Sequence, residues 1–170
     1  MIQTISKPEA YIIGRASLAD GRYLSLDVMR AALDAVEDES TIELLDLESA
    51  NPAGDLASFI VKISEPLPPP AFAQMAEVAR TASGNGVEYK LLRAVTEPGQ
   101  VLLLDDVSTE YFRREFAIDC QFAVHRETCV KLTHRPTGLT ARCTDGRQMS
   151  RNFEEALLVL ASLVASFKTN

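Results

Sequence analysis

The stretch Val130-Lys-Leu-Thr-His-Arg-Pro-Thr-Gly-Leu-Thr-Ala-Arg-Cys143 admits few conformations. Apolar Val130 and Leu132 alternate with polar neighbours, Pro136-Thr-Gly138 makes a corner, and Leu139, Ala141 and Cys143 alternate again, which spells a tight antiparallel hairpin. A helix is expected almost at once. Asn152 followed by Glu155 reads as an N-cap and capping box, and Leu157, Leu160, Ala161 and Val164 then share one helical face.

The chain ahead of this hairpin carries alternating strand and helix signals. Residues 10–15 form a short apolar run of strand type. Ser25 is placed to cap a helix whose inward stripe is Leu26, Met29, Leu33 and Val36. Thr41–Leu47 reads as a second strand, and Leu56–Ser64, apolar on both faces, as a central third. Pro66 and the triplet Pro68-Pro69-Pro70 stop that strand and deliver a helix burying Phe72, Met75, Ala76 and Ala79. Helix entry accounts for the triplet more simply than a polyproline ligand for an SH3-like domain does. Gly84-Asn85-Gly86 ends the helix, and Val87–Val95 reads as a fourth strand. The resulting βαββαβ order is that of a ferredoxin-like sandwich, so the expected fold class is α+β. Glu97-Pro98-Gly99-Gln100 suggests a type II turn into a further strand, Val101–Leu104. The boundary is expected at Asp105–Thr109, between an acidic domain of residues 1–106 and a second domain of residues 107–170.

Charge divides along the same line. Residues 1–106 hold 8 Lys+Arg against 17 Asp+Glu, a net of −9, while 107–170 hold 9 against 7, a net of +2. Only the second half has an electrostatic reason to approach nucleic acid, and the overall −7 argues against tight non-specific RNA binding. With 170 residues, 46% of them hydrophobic, the chain buries a core without disulfides. Three cysteines, Cys120, Cys129 and Cys143, lack a Cys-x-x-Cys arrangement and suit a reducing compartment. No run of eighteen apolar residues and no basic segment before an apolar one near Met1 is present, so the expectation is a cytoplasmic chain without a membrane partner.

Residues 107–170 resemble the catalytic domain of class I peptide chain release factors and their stand-alone peptidyl-tRNA hydrolase relatives. That family places an Arg-Ala-Ser-Gly strand end before a Gly-Gly-Gln loop, then a Val-Arg-(Leu/Ile)-Thr-His-x-Pro-Thr-Gly hairpin, an Arg-Ser-Gln turn and an Asn-led helix. Here Arg114 stands at the first arginine and Gln121 at the glutamine, and Thr133, His134, Pro136, Thr137, Gly138, Arg147, Asn152, Ala156 and Leu160 match without a gap. Two departures carry weight. The paired glycines are Asp119 and Cys120, and the Ser-Gln of the turn is Gln148-Met149.

In the family, the glycines let the backbone approach the tRNA 3′ end, and the glutamine helps position water at the peptidyl ester. Side chains at Asp119 and Cys120 oppose that approach, and Asp119 adds negative charge where RNA phosphates lie. Phe116 and Ile118 alternate with Ala117 and Asp119, so the former loop is expected to continue as strand. No catalytic residue is therefore expected, Gln121 being the one that activity would require. The resemblance implies Arg114, Lys131, Arg135, Arg147 and Arg151 as nucleic-acid contacts, although surface ion pairs account equally for such arginines. His134, Pro136 and Gly138 are expected to be structural turn residues. Rescue hydrolases of the family thread a Lys/Arg-rich tail into the mRNA channel; residues 167–170, Phe-Lys-Thr-Asn, do not resemble one, and no such tail is expected.

Cys120, His125, Cys129, His134 and Cys143 have no common zinc spacing, and no metal or other cofactor is expected. A Cys120–His125 nucleophile pair lacks a third orienting group. The sequence thus points to a non-catalytic release-factor-like accessory or binding protein, with a ribosome or tRNA as partner of residues 107–170. The alternatives are a protein partner, a divergent peptidyl-tRNA hydrolase using Gln121, and a self-associating module that pairs Val101–Leu104 across a dimer edge.

Overall fold

A computed structural model describes residues 7–17, 23–25, 27–49, 56–119, 122–144 and 148–169, with backbone alone for 113–119 and 122–127. The chain forms two compact units, Met1–Ala94 and Val95–Asn170.

The first unit contains β1 (Ala10–Ala16), α1 (Asp27–Ala35), β2 (Ile42–Ser49), β3 (Leu56–Ile63), α2 (Pro69–Ala82) and β4 (Val87–Arg93). Its strands lie in the order β2-β3-β1-β4, every neighbouring pair antiparallel. This is the ferredoxin-like arrangement expected from the βαββαβ order. One sheet face supplies Ile12, Phe59, Val61, Ile63 and Tyr89 to a core shared with Val28, Ala32 and Val36 around α1 and with Met75 and Ala79 of α2. The alternate residues Tyr11, Ile60 and Lys62 are buried too, so the central strands are apolar or paired on both faces. Lys62 Nζ lies 3.2 Å from Glu43 Oε2.

Local chemistry explains the element ends. The Ser25 hydroxyl accepts from the Asp27 amide at 3.1 Å, while the Ser25 amide donates to the Tyr89 hydroxyl at 2.7 Å. That second bond fastens the start of α1 to β4. Pro68 precedes α2, whose first turn holds prolines because those amides have no intrahelical acceptor. Gly14 of β1 sits in register between Phe59 and Tyr89, and a Cβ there would lie 2.6 Å from the Phe59 ring. The missing side chain is the space the ring fills.

The second unit contains β5 (Val107–Asp119), β6 (Phe122–His134), β7 (Thr140–Cys143) and α3 (Met149–Thr169), with the sheet order β5-β6-β7. α3 packs on β6 and β7 through Ala156, Val159, Leu160, Leu163 and Val164, facing Val130, Leu132, Ala141 and Cys143. Two expectations are corrected in this unit. Val101–Leu104 is not a strand: 3₁₀ turns occupy Pro98–Gln100 and Leu104–Asp106, and the Leu102 amide donates to the Pro98 carbonyl at 2.8 Å. With helical backbone at Val101 and no partner strand, Leu102 turns inward while Leu103 and Leu104 stay about two-thirds exposed, at 70% and 67%. Residues 95–106 go with the second unit, anchored where the Val95 amide donates to the Ser162 hydroxyl of α3 at 3.0 Å.

Asn152 is the second correction. α3 starts at Met149, and the Asn152 amide already donates to the Gln148 carbonyl at 3.1 Å, which places the residue inside the helix rather than at its cap. Its side chain is fully buried and turned to the sheet. The helix thus begins about a turn earlier than the capping-box reading places it, and the Asn152 side chain serves a tertiary contact instead.

Candidate functional site

The hairpin of β5 and β6 carries Arg114, Lys131 and His134, three of the residues singled out in the sequence. β7 pairs only with Val130–Thr133 of β6, so residues 122–129 of β6 pair with β5 alone. At 3.3–3.4 Å per residue this two-stranded part runs on the order of 27 Å. Its register shifts between Phe112 and Arg114, where β6 takes an extra residue, and again between Ala117 and Asp119. The last pair is Asp119 with Phe122. Cys120 and Gln121 stand between these two strand ends and lie outside the described residues, as does Arg147.

Backbone pairing places Arg114 opposite Arg126 and Glu115 opposite His125. Nearer α3, the register draws a row across all three strands, Glu110–Lys131–Arg142. Lys131 is half-buried there, and the Arg142 guanidinium lies over the Phe112 ring at 5.0 Å from its centroid. This cation–π contact holds a cation against the sheet surface. It is invisible in the sequence, because residues 112 and 142 meet only through β6.

The Pro136–Gly138 turn is closed by several bonds. His134 Nδ1 lies 2.7 Å from Thr137 Oγ1, and the Gly138 amide donates to the His134 carbonyl at 2.7 Å. Gly138 adopts φ +74°, the left-handed region that glycine enters without strain. Arg135 donates from its amide to the Asp106 carbonyl at 2.8 Å and from its guanidinium to the Asp105 carbonyl at 2.9 Å. Part of its hydrogen-bonding capacity therefore ties the turn to the chain entering β5. Arg151 lies half-buried in the first turn of α3.

Beneath the hairpin, Asn152 links helix and sheet. Its Nδ2 donates to the Thr128 carbonyl at 2.8 Å, and its Oδ1 accepts from the Cys143 thiol at 3.2 Å. The Cys129 thiol points to the Thr144 carbonyl at 3.8 Å. Both cysteines are buried and outside any disulfide. Among the described residues no group of three or more His, Cys, Asp or Glu side chains converges as a metal site would require.

A ferredoxin-like sandwich followed by a three-stranded sheet with one long helix makes this an α+β protein with a release-factor-like domain. RF2 of Thermus thermophilus shares the fold, with a TM-score of 0.64 at 15% identity over 96% of this chain and 50% of that one. Peptide chain release factor 1 of Ruthia magnifica subsp. Calyptogena magnifica is 41% identical over 61 residues, 36% of this chain and 16% of that protein. This chain thus covers about half of the first and about one-sixth of the second. No family model matches the sequence. Among the described residues no helix is long and apolar enough to cross a membrane.

Proposed function

We propose that this chain is a release-factor-like accessory protein of translation that binds a ribosome or tRNA through residues 107–170 without hydrolysing the peptidyl ester. One observation carries the non-catalytic part: β5 stays paired through Asp119, whose partner is Phe122. A residue held in extended, hydrogen-bonded strand does not offer the free, side-chain-less backbone that the two glycines offer in release factors. Asp119 also adds a negative charge where release factors carry an uncharged glycine, which disfavours approach to RNA phosphates in this reading. The local identity to a release factor and the net charge of residues 107–170 support the choice of partner. Arg114, Lys131, Arg147 and Arg151 are the phosphate contacts in this reading, whereas Arg135 also anchors its own turn.

The test is incubation of the full chain with ribosomes carrying a labelled peptidyl-tRNA. Co-sedimentation is expected, with affinity falling steeply as salt rises and weakening further in Lys131→Ala and Arg147→Ala. Peptide release is expected to stay at the uncatalysed rate. Release that disappears in Gln121→Ala would instead establish the hydrolase, and co-sedimentation that ignores salt would sink the RNA contact.

A further inference from the structure

We infer that β5 is a dimerisation edge, on which a second copy of this chain adds its own β5 antiparallel, with the two-fold axis at Phe112. The expected strand at Val101–Leu104 is absent, so the surface that could carry self-association lies elsewhere. Among the described residues β5 has one strand neighbour, β6, and its other edge is open. Thr109, Glu110 and Tyr111 on it are exposed, Tyr111 by 51%.

Sheets usually blunt such an edge with proline, lysine or a bulge. From Val107 to Ala117 β5 contains neither proline nor lysine, and its own extra residue comes only after Ala117. The first register shift, between Phe112 and Arg114, is accommodated on β6 and leaves the open edge regular. Eleven consecutive residues, 107–117, are therefore available for pairing.

Charge selects the occupant and the register. Two-fold symmetry requires a residue to oppose itself, and opposed residues share a sheet face. Centring on Glu110, Arg113 or Arg114 would bring like charges together, which antiparallel pairs disfavour. Centring on Phe112 opposes Phe112 with its copy, Glu110 with Arg114 on both sides of it, and Tyr111 with Arg113. Glu110 and Arg114 of the two copies then stand opposite one another in two pairs of opposite charge, and each Arg113 stands opposite a Tyr111. Within one chain Arg114 is opposed only by Arg126, a like charge. The second copy's Glu110 places an opposite charge in register on its other flank. Two three-stranded sheets become one of six strands.

The mass of the full chain is to be followed by sedimentation equilibrium from about 1 to 300 μM. Rise toward twice the chain mass is expected. Glu110→Arg and Arg114→Glu should each raise the dissociation constant about tenfold or more, because each reverses two symmetry-related pairs. The double reversal should restore pairing to within about threefold of the wild type. A single-chain mass at the highest concentration overturns the proposal, as does a dimer that both reversals leave unchanged. Failure of the double reversal to recover overturns the axis at Phe112. Should the variants misfold, hydrogen exchange on the unaltered chain decides: protection of amides 108–116 must grow with concentration, and protection that does not grow refutes the edge.

Discussion

Replacing Asn152 by aspartate separates two roles that the sequence alone leaves superimposed. At a helix N-cap, Asn, Asp and Ser are nearly equivalent, and the substitution would change stability by a few tenths of a kcal/mol. Here the side chain is fully buried, gives its Nδ2 to the Thr128 carbonyl at 2.8 Å and takes the Cys143 thiol at 3.2 Å. Aspartate removes the donor and sets a carboxylate against that carbonyl. The lost bond costs about 1 kcal/mol and the buried, uncompensated charge about 2–3 kcal/mol more. The sum, about 3–4 kcal/mol, corresponds to roughly 12–30 °C in the melting temperature of a unit this size that melts by itself. Burial raises the pKa of the new carboxyl in the folded state. Its penalty is therefore smallest below the unfolded carboxyl pKa, about 4, and grows as pH rises through the folded value. Urea unfolding of wild type, Asn152→Asp and Asn152→Ser from pH 4 to pH 8 measures this. Near-equality of the three at pH 7 would falsify the buried-bridge assignment.

Other perturbations test the framework around it. Gly14→Ala forces a Cβ to 2.6 Å from the buried Phe59 ring and should cost about 1–3 kcal/mol in chemical denaturation, with Phe59→Leu in the same chain recovering part of the loss. Gly138→Ala at φ +74° should cost about 1–2 kcal/mol, and Gly138→Asn less, because asparagine tolerates the left-handed region; equal costs would refute the turn geometry. Tyr89→Phe removes the hydroxyl that accepts from the Ser25 amide at 2.7 Å, an expected loss of about 1 kcal/mol with faster amide exchange at the start of α1. Asp38 accepts hydrogen bonds from Ser40, chiefly the side-chain hydroxyl and then the amide, which lowers its pKa. The 3₁₀ turn at Glu39–Thr41 should therefore hold above the ordinary carboxylate pKa and loosen as pH falls through the lowered value, readable from its amide shifts.

Much of the architecture is legible from short-range patterns. The two-residue period of Val130–Leu132 and Ala141–Cys143, the Pro136–Gly138 corner, the proline entry of α2 and the alternation of four strands with two helices all act over a few residues. Each appears in the folded chain. The unit boundary was less legible, because the turn residues around 98–100 suit a strand connection and a 3₁₀ turn alike. Ser162, far along the chain, is what holds Val95 to the second unit.

The candidate site divides in the same way. The alternation of Phe116 and Ile118 already indicates strand, and β5 does run to Asp119. Local sequence determined which segments are strand, turn and helix, because backbone sterics and solvent-facing periodicity act between near neighbours. Only tertiary structure decided that Asn152 bridges helix and hairpin, that Arg142 reaches Phe112, that the backbone register sets Arg114 opposite Arg126, and that among the described residues β5 has a single strand neighbour. Those depend on the register of strands remote in sequence, and register is set by which faces the whole fold buries.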